Sequence, residues 1–437
     1  MEPITVGIIS VFILLLLMAM GFHIAVCMGL AGIISFVFLV GLQPAMHLSA
    51  TQAFTVCSKY DFSVIPLFML MGLVLYSSGI ARNIYDAMYK WFGRLPGGMM
   101  IATIFSSAVF GAVNGSTIAA AVTFTKIGAP EMIRMKYNPG LACGSIAASG
   151  ALSTLIPPSA LMVMYAIIAE QSIGKCLMAG VLPGVISTLL YVGLVISIAI
   201  IKPELLPRGP SSTFRDKIIT LKSTWEIPLL AIIVLGGLYT GVFTATEAAG
   251  IGAFVAILFG LFKKNEIKNM AMLKNALNST ISGTVMIFII LIGAFIFSSA
   301  LAISQLPVHI TELTINSGLS RIWILILIAF MNIIMGTFMS TTAVLVITTP
   351  IVLPVIISLG YDPIWFGIIT IKLCELGVLT PPVGLNVYAV KGAIGPIVSL
   401  EEIFKGVMPF LAIEILSLVL FIAFPWISLV IPNAMKV

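Results

Sequence analysis

Apolar runs dominate the chain from its first residues, where "ITVGIISVFILLLLMAM" is followed by one hydrophobic stretch after another with almost no soluble sequence between them. A helix that crosses a bilayer needs roughly 20 consecutive apolar residues, and the pattern supplies many such runs. It therefore predicts an all-α polytopic membrane protein with no separate extramembrane domain. The first run has no basic segment before it and no small-residue cleavage site after it, so it reads as a mature span and not a signal peptide. Composition agrees: 60% of the 437 residues are hydrophobic, 9% are charged, and the mean hydropathy is +1.18. That is more apolar surface than a soluble core of this size could use. The five cysteines, Cys27, Cys57, Cys143, Cys176 and Cys374, are odd in number and mostly embedded in apolar runs, which argues against a disulfide framework. The net charge of +6 does not call for a nucleic acid, because excess Lys and Arg in a membrane protein reports topology.

Self-comparison uncovers a repeat. "STLIPPSALMVMYAI" around Pro157 and Pro158 matches "GVLTPPVGLNVYAV" around Pro381 and Pro382 at an offset of 224 residues. The same offset carries Ser116 and Thr117 onto Ser340 and Thr341, Pro130 onto Pro354, Tyr137 onto Tyr361, and Pro139 onto Pro363. Transporter folds are often built from two such halves. The halves are assigned as 1–223 and 224–437.

Charge placement orients them. The basic stretches Lys202 to Lys222 and Lys263 to Lys274 are separated by two spans, about 225–241 and 246–262, so they share a side, and the positive-inside rule makes it the cytoplasm. If 97–135 forms a hairpin that enters and leaves from that side, its counterpart 321–360 enters from the periplasm, because five crossings separate the copies. Both termini then fall in the periplasm. The tally is 16 basic residues inside against four outside, with Lys126 and Lys372 at membrane depth. The expected architecture is an inverted repeat in which each half carries a re-entrant hairpin and a proline-broken helix, 136–170 and 361–391.

Each hairpin has a polar tip: Asn114, Gly115, Ser116 and Thr117 in the first half, Ser340, Thr341 and Thr342 in the second. Non-helical backbone within a bilayer is tolerated only where protein or a water-filled cavity satisfies it, so the tips are expected inside the protein. Proline lacks an N–H and clashes with the preceding turn, so the pairs Pro157-Pro158 and Pro381-Pro382 should open their helices near Leu155 and Leu379 and free carbonyls. Carbonyls and hydroxyls together suit a hard cation such as sodium, and half-helix N-termini suit an anion. Ser106, Ser107, Ser145 and Ser149 are left as packing residues.

At "GVLTPPVGLN", with "NGSTIAAAVTFTKIGAPEM" and "TATEAAG", the whole chain resembles the large membrane subunit of the tripartite ATP-independent periplasmic (TRAP) transporters. The resemblance implies an elevator-type secondary transporter of the bacterial inner membrane, importing an organic acid anion, a dicarboxylate or an acidic sugar, on a sodium gradient. It implies a periplasmic binding protein that delivers substrate and a small four-helix membrane subunit, expected to be a separate polypeptide because this chain starts with its own first span. No cofactor is expected beyond the transported sodium ion. Carried over residue by residue, the resemblance puts one sodium at the first tip with the break from Leu155 to Pro158. It puts another at the second tip with Thr380, Pro381 and Pro382, flanked by Gly377, Gly384 and Asn386, and the substrate carboxylate between them. The metal candidates are Ser116, Thr117, Ser340, Thr341 and Thr380.

Ionisable residues at membrane depth are functional candidates. Lys372 and Glu375, three apart, either pair on one helix face or leave Lys372 to attract the substrate anion. Glu247 reads as a helix cap, Lys126 as a snorkelling residue, and Glu414, alone in the last span, as a contact for a partner. His23, His47 and His309 stand far apart without metal-ligand spacing and read as interfacial. "IARNIYDAMYKWFGRLPGG" predicts a helix lying in the lipid interface, where it would brace a scaffold. The chain is not expected to be an enzyme: there is no H-E-x-x-H and no aspartate pair within the spans. A stand-alone sodium/carboxylate symporter of the related ion-transporter type is the alternative, and a channel is disfavoured by the broken helices of an inverted repeat.

Overall fold

The computed structural model describes residues 2–114, 116–209, 212–261 and 266–435, with the side chains of 112–114 and 266–269 excluded. The described residues are all-helical. The first half contains α1 (Pro3–Ala19), α2 (Ile24–Val40), α3 (Leu42–Ser58), α4 (Val64–Ser77), α5 (Ile80–Phe92), α6 (Gly98–Asn114), α7 (Thr117–Arg134), α8 (Pro139–Ala151), α9 (Ala160–Ile168), α10 (Ile173–Ala179) and α11 (Val181–Ile201). After α12 (Phe214–Lys222), the second contains α13 (Glu226–Thr240), α14 (Ala245–Leu261), α15 (Glu266–Ser304), α16 (Leu306–Asn316), α17 (Arg321–Phe338), α18 (Thr341–Ser358), α19 (Pro363–Leu379), α20 (Leu385–Ile394), α21 (Leu400–Ala423) and α22 (Trp426–Ala434). Six helical stretches are long and apolar enough to cross a membrane, and seven if α12 and α13, bent by 54°, form one span. This is a multi-pass membrane protein.

Helix boundaries follow local chemistry. The two broken helices start alike, with an Asx cap and proline at the first helical position: Asn138 Oδ1 accepts from Leu141 N at 2.9 Å, and Asp362 Oδ1 accepts from Ile364 N at 2.7 Å. The helices before them also end alike. Lys136 (φ 63°) and Gly360 (φ 79°), offset by 224, take the left-handed conformation, and the N–H groups of Tyr137 and Tyr361 reach back to the carbonyls of Met132 and Ile356. The sequence match of Tyr137 with Tyr361 is thus a shared helix stop. Glu247 caps α14, its Oε2 accepting from Thr244 N at 2.8 Å, as expected. α5 is amphipathic, with Ile80, Ala81, Ile84, Tyr85 and Ala87 buried and Arg82 and Asp86 exposed.

Packing sorts the helices into two groups. α1 to α4 and α13 to α15 form an outer group, held where glycines let backbones approach, as at Gly293, whose added Cβ would stand 2.5 Å from the carbonyl oxygen of Ala25. The inner group contains both hairpins, α6–α7 and α17–α18, both broken helices, and α11 and α21. Contacts inside it recur at the offset of the repeat: α7 packs on α20, and its counterpart α18 packs on α9. The return arm of each hairpin therefore rests on the broken helix of the other half. α8 and α21 meet along a glycine seam, where a Cβ on Gly144 would lie 2.3 Å from the backbone of Gly406.

Candidate transport site

The hairpin tips are built by capping serines. Ser116 Oγ accepts from Ala119 N and Ser340 Oγ from Ala343 N, each at 3.3 Å, so both turns are closed by the residue that starts the returning helix. The next residue in each half is a threonine, Thr117 or Thr341, whose hydroxyl makes no hydrogen bond to any described residue. Both threonines, with Ser116, Ser340 and Thr342, line one cavity of about 1060 Å³.

The first broken helix reaches the same cavity. α8 tightens into a 3-10 turn at Leu152–Thr154 before the chain bends through residues 155–158 to Ser159, whose Oγ accepts from Met162 N at 3.3 Å and starts α9. Thr154 and the first residues of α9, Ala160 and Leu161, line the cavity. Its opposite wall belongs to the outer group: Met18 at the end of α1, Phe22 and His23 ahead of α2, and Met286 and Ile290 of α15. Four helix N-termini, those of α2, α7, α9 and α18, therefore border one space, and none of the described lining residues is Lys, Arg, Asp or Glu. A separate hollow of about 410 Å³ between α5, α11 and α13 is lined almost wholly by apolar side chains, Pro157 among them.

Not every sequence-predicted residue meets at this cavity. Gly115 and the Asn114 side chain lie outside the described residues. Leu155 is buried and its carbonyl is covered by Gly180, where an added Cβ would stand 2.1 Å from the oxygen, so it is not presented to the cavity as expected. The Pro157-Pro158 and Pro381-Pro382 bonds are both cis. The second break lies outside the cavity lining, with Pro381 and Pro382 exposed and Thr380 Oγ1 donating to the Leu376 carbonyl at 2.6 Å. Gly377 is buried against Gly336, Gly384 takes a left-handed φ of 60°, and Asn386 is buried with Nδ2 3.3 Å from the Ala147 carbonyl and no hydrogen bond to Oδ1.

The charged residues hold a different arrangement. Lys372 and Glu375 are fully buried and paired at 3.1 Å, so the pairing alternative holds and Lys372 does not face the cavity. Glu414 corrects an expectation: it is fully buried, forms an ion pair with Lys372 and accepts from the Tyr191 hydroxyl, so it is no surface contact for a partner. An isolated carboxylate on an apolar helix needed an internal counter-charge, and Lys372 is that cation. Sequence reading also missed Thr154 and His23. Thr154 stands inside the quoted "STLIPP", and a hydroxyl directly ahead of a helix break was the available signal. His23 caps α2, accepting from Ala25 N at 3.4 Å, at the cavity wall.

Comparisons with known proteins agree with this architecture. The family model described as "Tripartite ATP-independent periplasmic transporter, DctM component" matches residues 11–427. The chain is 33% identical over 407 residues to the C4-dicarboxylate TRAP transporter large permease protein DctM of Pseudomonas aeruginosa, covering 93% of each chain. It is 28% identical over 388 residues to the sialic acid TRAP transporter large permease protein SiaM of Vibrio cholerae, covering 89% of this chain and 90% of that one. Among solved structures, the YdaH transporter of Alcanivorax borkumensis shares the fold with a TM-score of 0.61 at 17% identity, covering 98% of this chain and all of that one. The two TRAP relatives are transporter permease components and not enzymes, and the chain belongs to the DctM family, as the large permease subunit of a tripartite ATP-independent periplasmic transporter.

Proposed function

We propose that this permease uses a sodium gradient to import an organic acid anion, a dicarboxylate or an acidic sugar, across the inner membrane. The observation that carries the reading is the cavity shared by both hairpin tips and the first break, at the boundary of the two helix groups. Among the described residues no lysine or arginine lines it, so an anion there would be met by helix N-termini, with His23 at the wall, and by a cation bound alongside. The unpaired hydroxyls of Thr117 and Thr341, with the backbone at the tips, offer the oxygen ligands that a hard cation takes. Relatives are named for C4-dicarboxylate, sialic acid and isethionate transport, and all three compounds are anions.

In this reading residues 1–223 and 224–437 are inverted repeats, with hairpin 97–135 entering from the cytoplasm, hairpin 321–360 from the periplasm, and both termini periplasmic. The inner group moves as one body against the outer group, with α5 bracing the latter at the lipid interface. A periplasmic binding protein delivers substrate, and a separate small four-helix subunit supports the scaffold. The second break, exposed here, forms its sodium site with the second tip in another state of the cycle. Reconstitution into vesicles tests the whole: uptake of a C4-dicarboxylate or sialic acid should need an inward sodium gradient, the small subunit and the binding protein together. Uptake by the permease alone would mean a stand-alone symporter, and flux without a sodium gradient would end the coupled reading.

A further inference from the structure

Behind the cavity the inner group encloses three ionisable side chains with no exposure, Lys372 and Glu375 on α19 and Glu414 on α21. α11 and the 3-10 turn ahead of the first break contribute to their hydrogen bonding. Lys372 Nζ pairs with Glu414 Oε2 and lies 3.1 Å from Glu375 Oε2, and Ser187 of α11 stands 3.5 Å from the same ammonium. Tyr191 of α11 donates to Glu414 Oε1, and Thr154 of the 3-10 turn donates to Glu375 Oε1. The remaining titratable neighbour is the buried Cys374 thiol on α19.

The charges do not balance. Two carboxylates face one ammonium, so with both ionised the cluster keeps a negative charge buried and unmatched, which a dry interior strongly disfavours. The hydrogen bonds single out the carboxylate that differs. Both oxygens of Glu414 are engaged, by Lys372 and by Tyr191, whereas no aligned hydrogen bond reaches Glu375 Oε2.

We propose that Glu375 is a proton-binding site: a proton from bulk water forms an O–H bond at Oε2, neutralises the cluster, and leaves the Lys372–Glu414 ion pair intact. Thr154 ties this site to transport, because the residue that donates to Glu375 also lines the cavity. Loss of the proton places a negative charge one side chain away from the cavity and strengthens cation binding there. By reciprocity, cation binding releases the proton. The link to sodium rests on the reading proposed above, whereas the protonation does not.

Two measurements on the purified permease test the proposal separately. The infrared spectrum should contain the carbonyl band of a buried protonated carboxyl, lost in Glu375→Gln. The band should also be lost in Glu414→Gln, where Glu375 becomes the ionised partner of Lys372. A band that survives in either variant, or that is absent from the wild type, overturns the proposal. Thermal stabilisation by sodium chloride, against choline chloride, should give an apparent sodium affinity that rises with pH by up to about tenfold per pH unit, the limit for one competing proton. That slope should vanish in Glu375→Gln, shrink in Thr154→Val and return in Thr154→Ser. A slope that persists in Glu375→Gln overturns the proposal. No response to sodium at any pH would end the sodium reading, and the infrared difference would still decide the proton.

Discussion

Gly336 on α17 and Gly377 on α19 touch backbone to backbone: a Cβ added to Gly377 would stand 2.5 Å from the Cα of Gly336. The first half repeats the relationship, with Gly111 on α6 against Ser153, where the added Cβ would lie 2.3 Å from the Ser153 Cα. Ser153 and Gly377 are related by the offset of the repeat, so the entering arm of each hairpin is seated on the break of its own half. Backbone cannot swing aside as a flexible side chain can. Gly377→Ala and Gly111→Ala should each destabilise the protein by about 1–3 kcal/mol, the usual cost of overpacking a tight contact. Gly392→Ala, where an added Cβ meets nothing, is the control and should be neutral or stabilising by up to about 1 kcal/mol. Melting curves in detergent would check this, and a Gly377→Ala variant as stable as the control would show that the seam has slack.

Removing Lys372 should be costlier than removing either of its partners. Lys372→Met leaves Glu414, and Glu375 whenever it is ionised, buried without a counter-charge, and breaking a buried ion pair from one side costs about 3–5 kcal/mol. The expected outcome is a sharp loss of folded protein in fluorescence size-exclusion profiles. Adding Glu375→Gln and Glu414→Gln to Lys372→Met should restore much of it, because neutral amides need no cation. A single variant that folds like the wild type would mean that water reaches the cluster.

Much of the inner group was legible in the sequence because its turns are written in local chemistry. Serine caps, an Asx residue before proline and a left-handed residue before Tyr137 or Tyr361 act within a few residues, and the repeat states each of them twice. Ser116, Ser340, Asn138 and Asp362 each accordingly stand at the start of an observed helix. The site was less legible, since which face of an almost uniformly apolar helix turns inward leaves little periodic trace. Glu414 illustrates this: its partner Lys372 is 42 residues away on another helix, and nothing in α21 alone distinguishes an inward carboxylate from an outward one. The wall supplied by Met18, Phe22 and His23 was equally hidden, because it depends on how the outer group meets the inner one.

Thr341 offers the cleanest test of the cavity. Its hydroxyl has no hydrogen-bond partner among the described residues, so replacing it removes a proposed ligand without breaking a hydrogen bond, whereas Ser116 and Ser340 also cap helices. Thr341→Leu fills the second tip with an apolar side chain and should abolish sodium-driven uptake while leaving expression and melting temperature near those of the wild type. Ser116→Leu should abolish uptake too, but with a further loss of about 1 kcal/mol from the missing cap. Uptake by Thr341→Leu at the wild-type rate would exclude the second tip from the transport site.

Orientation rests on the uneven distribution of basic residues, and two exposed positions can decide it. Arg215 lies in α12 within the basic stretch assigned to the cytoplasm, and Leu319 lies just ahead of the second hairpin, beside Arg321. Neither Arg215→Cys nor Leu319→Cys disturbs a buried contact, and the native Cys57, which is exposed, would first be replaced by serine. A membrane-impermeant maleimide that passes the outer membrane should label Leu319→Cys in intact cells and Arg215→Cys only once the inner membrane is opened. That pattern puts the base of the second hairpin on the periplasmic side and the basic stretch on the cytoplasmic side. With the first hairpin assigned to the same side as that basic stretch, the two hairpins would then enter from opposite faces, as an inverted repeat requires. Labelling of both positions from the same side would remove the inversion on which the alternating-access reading depends.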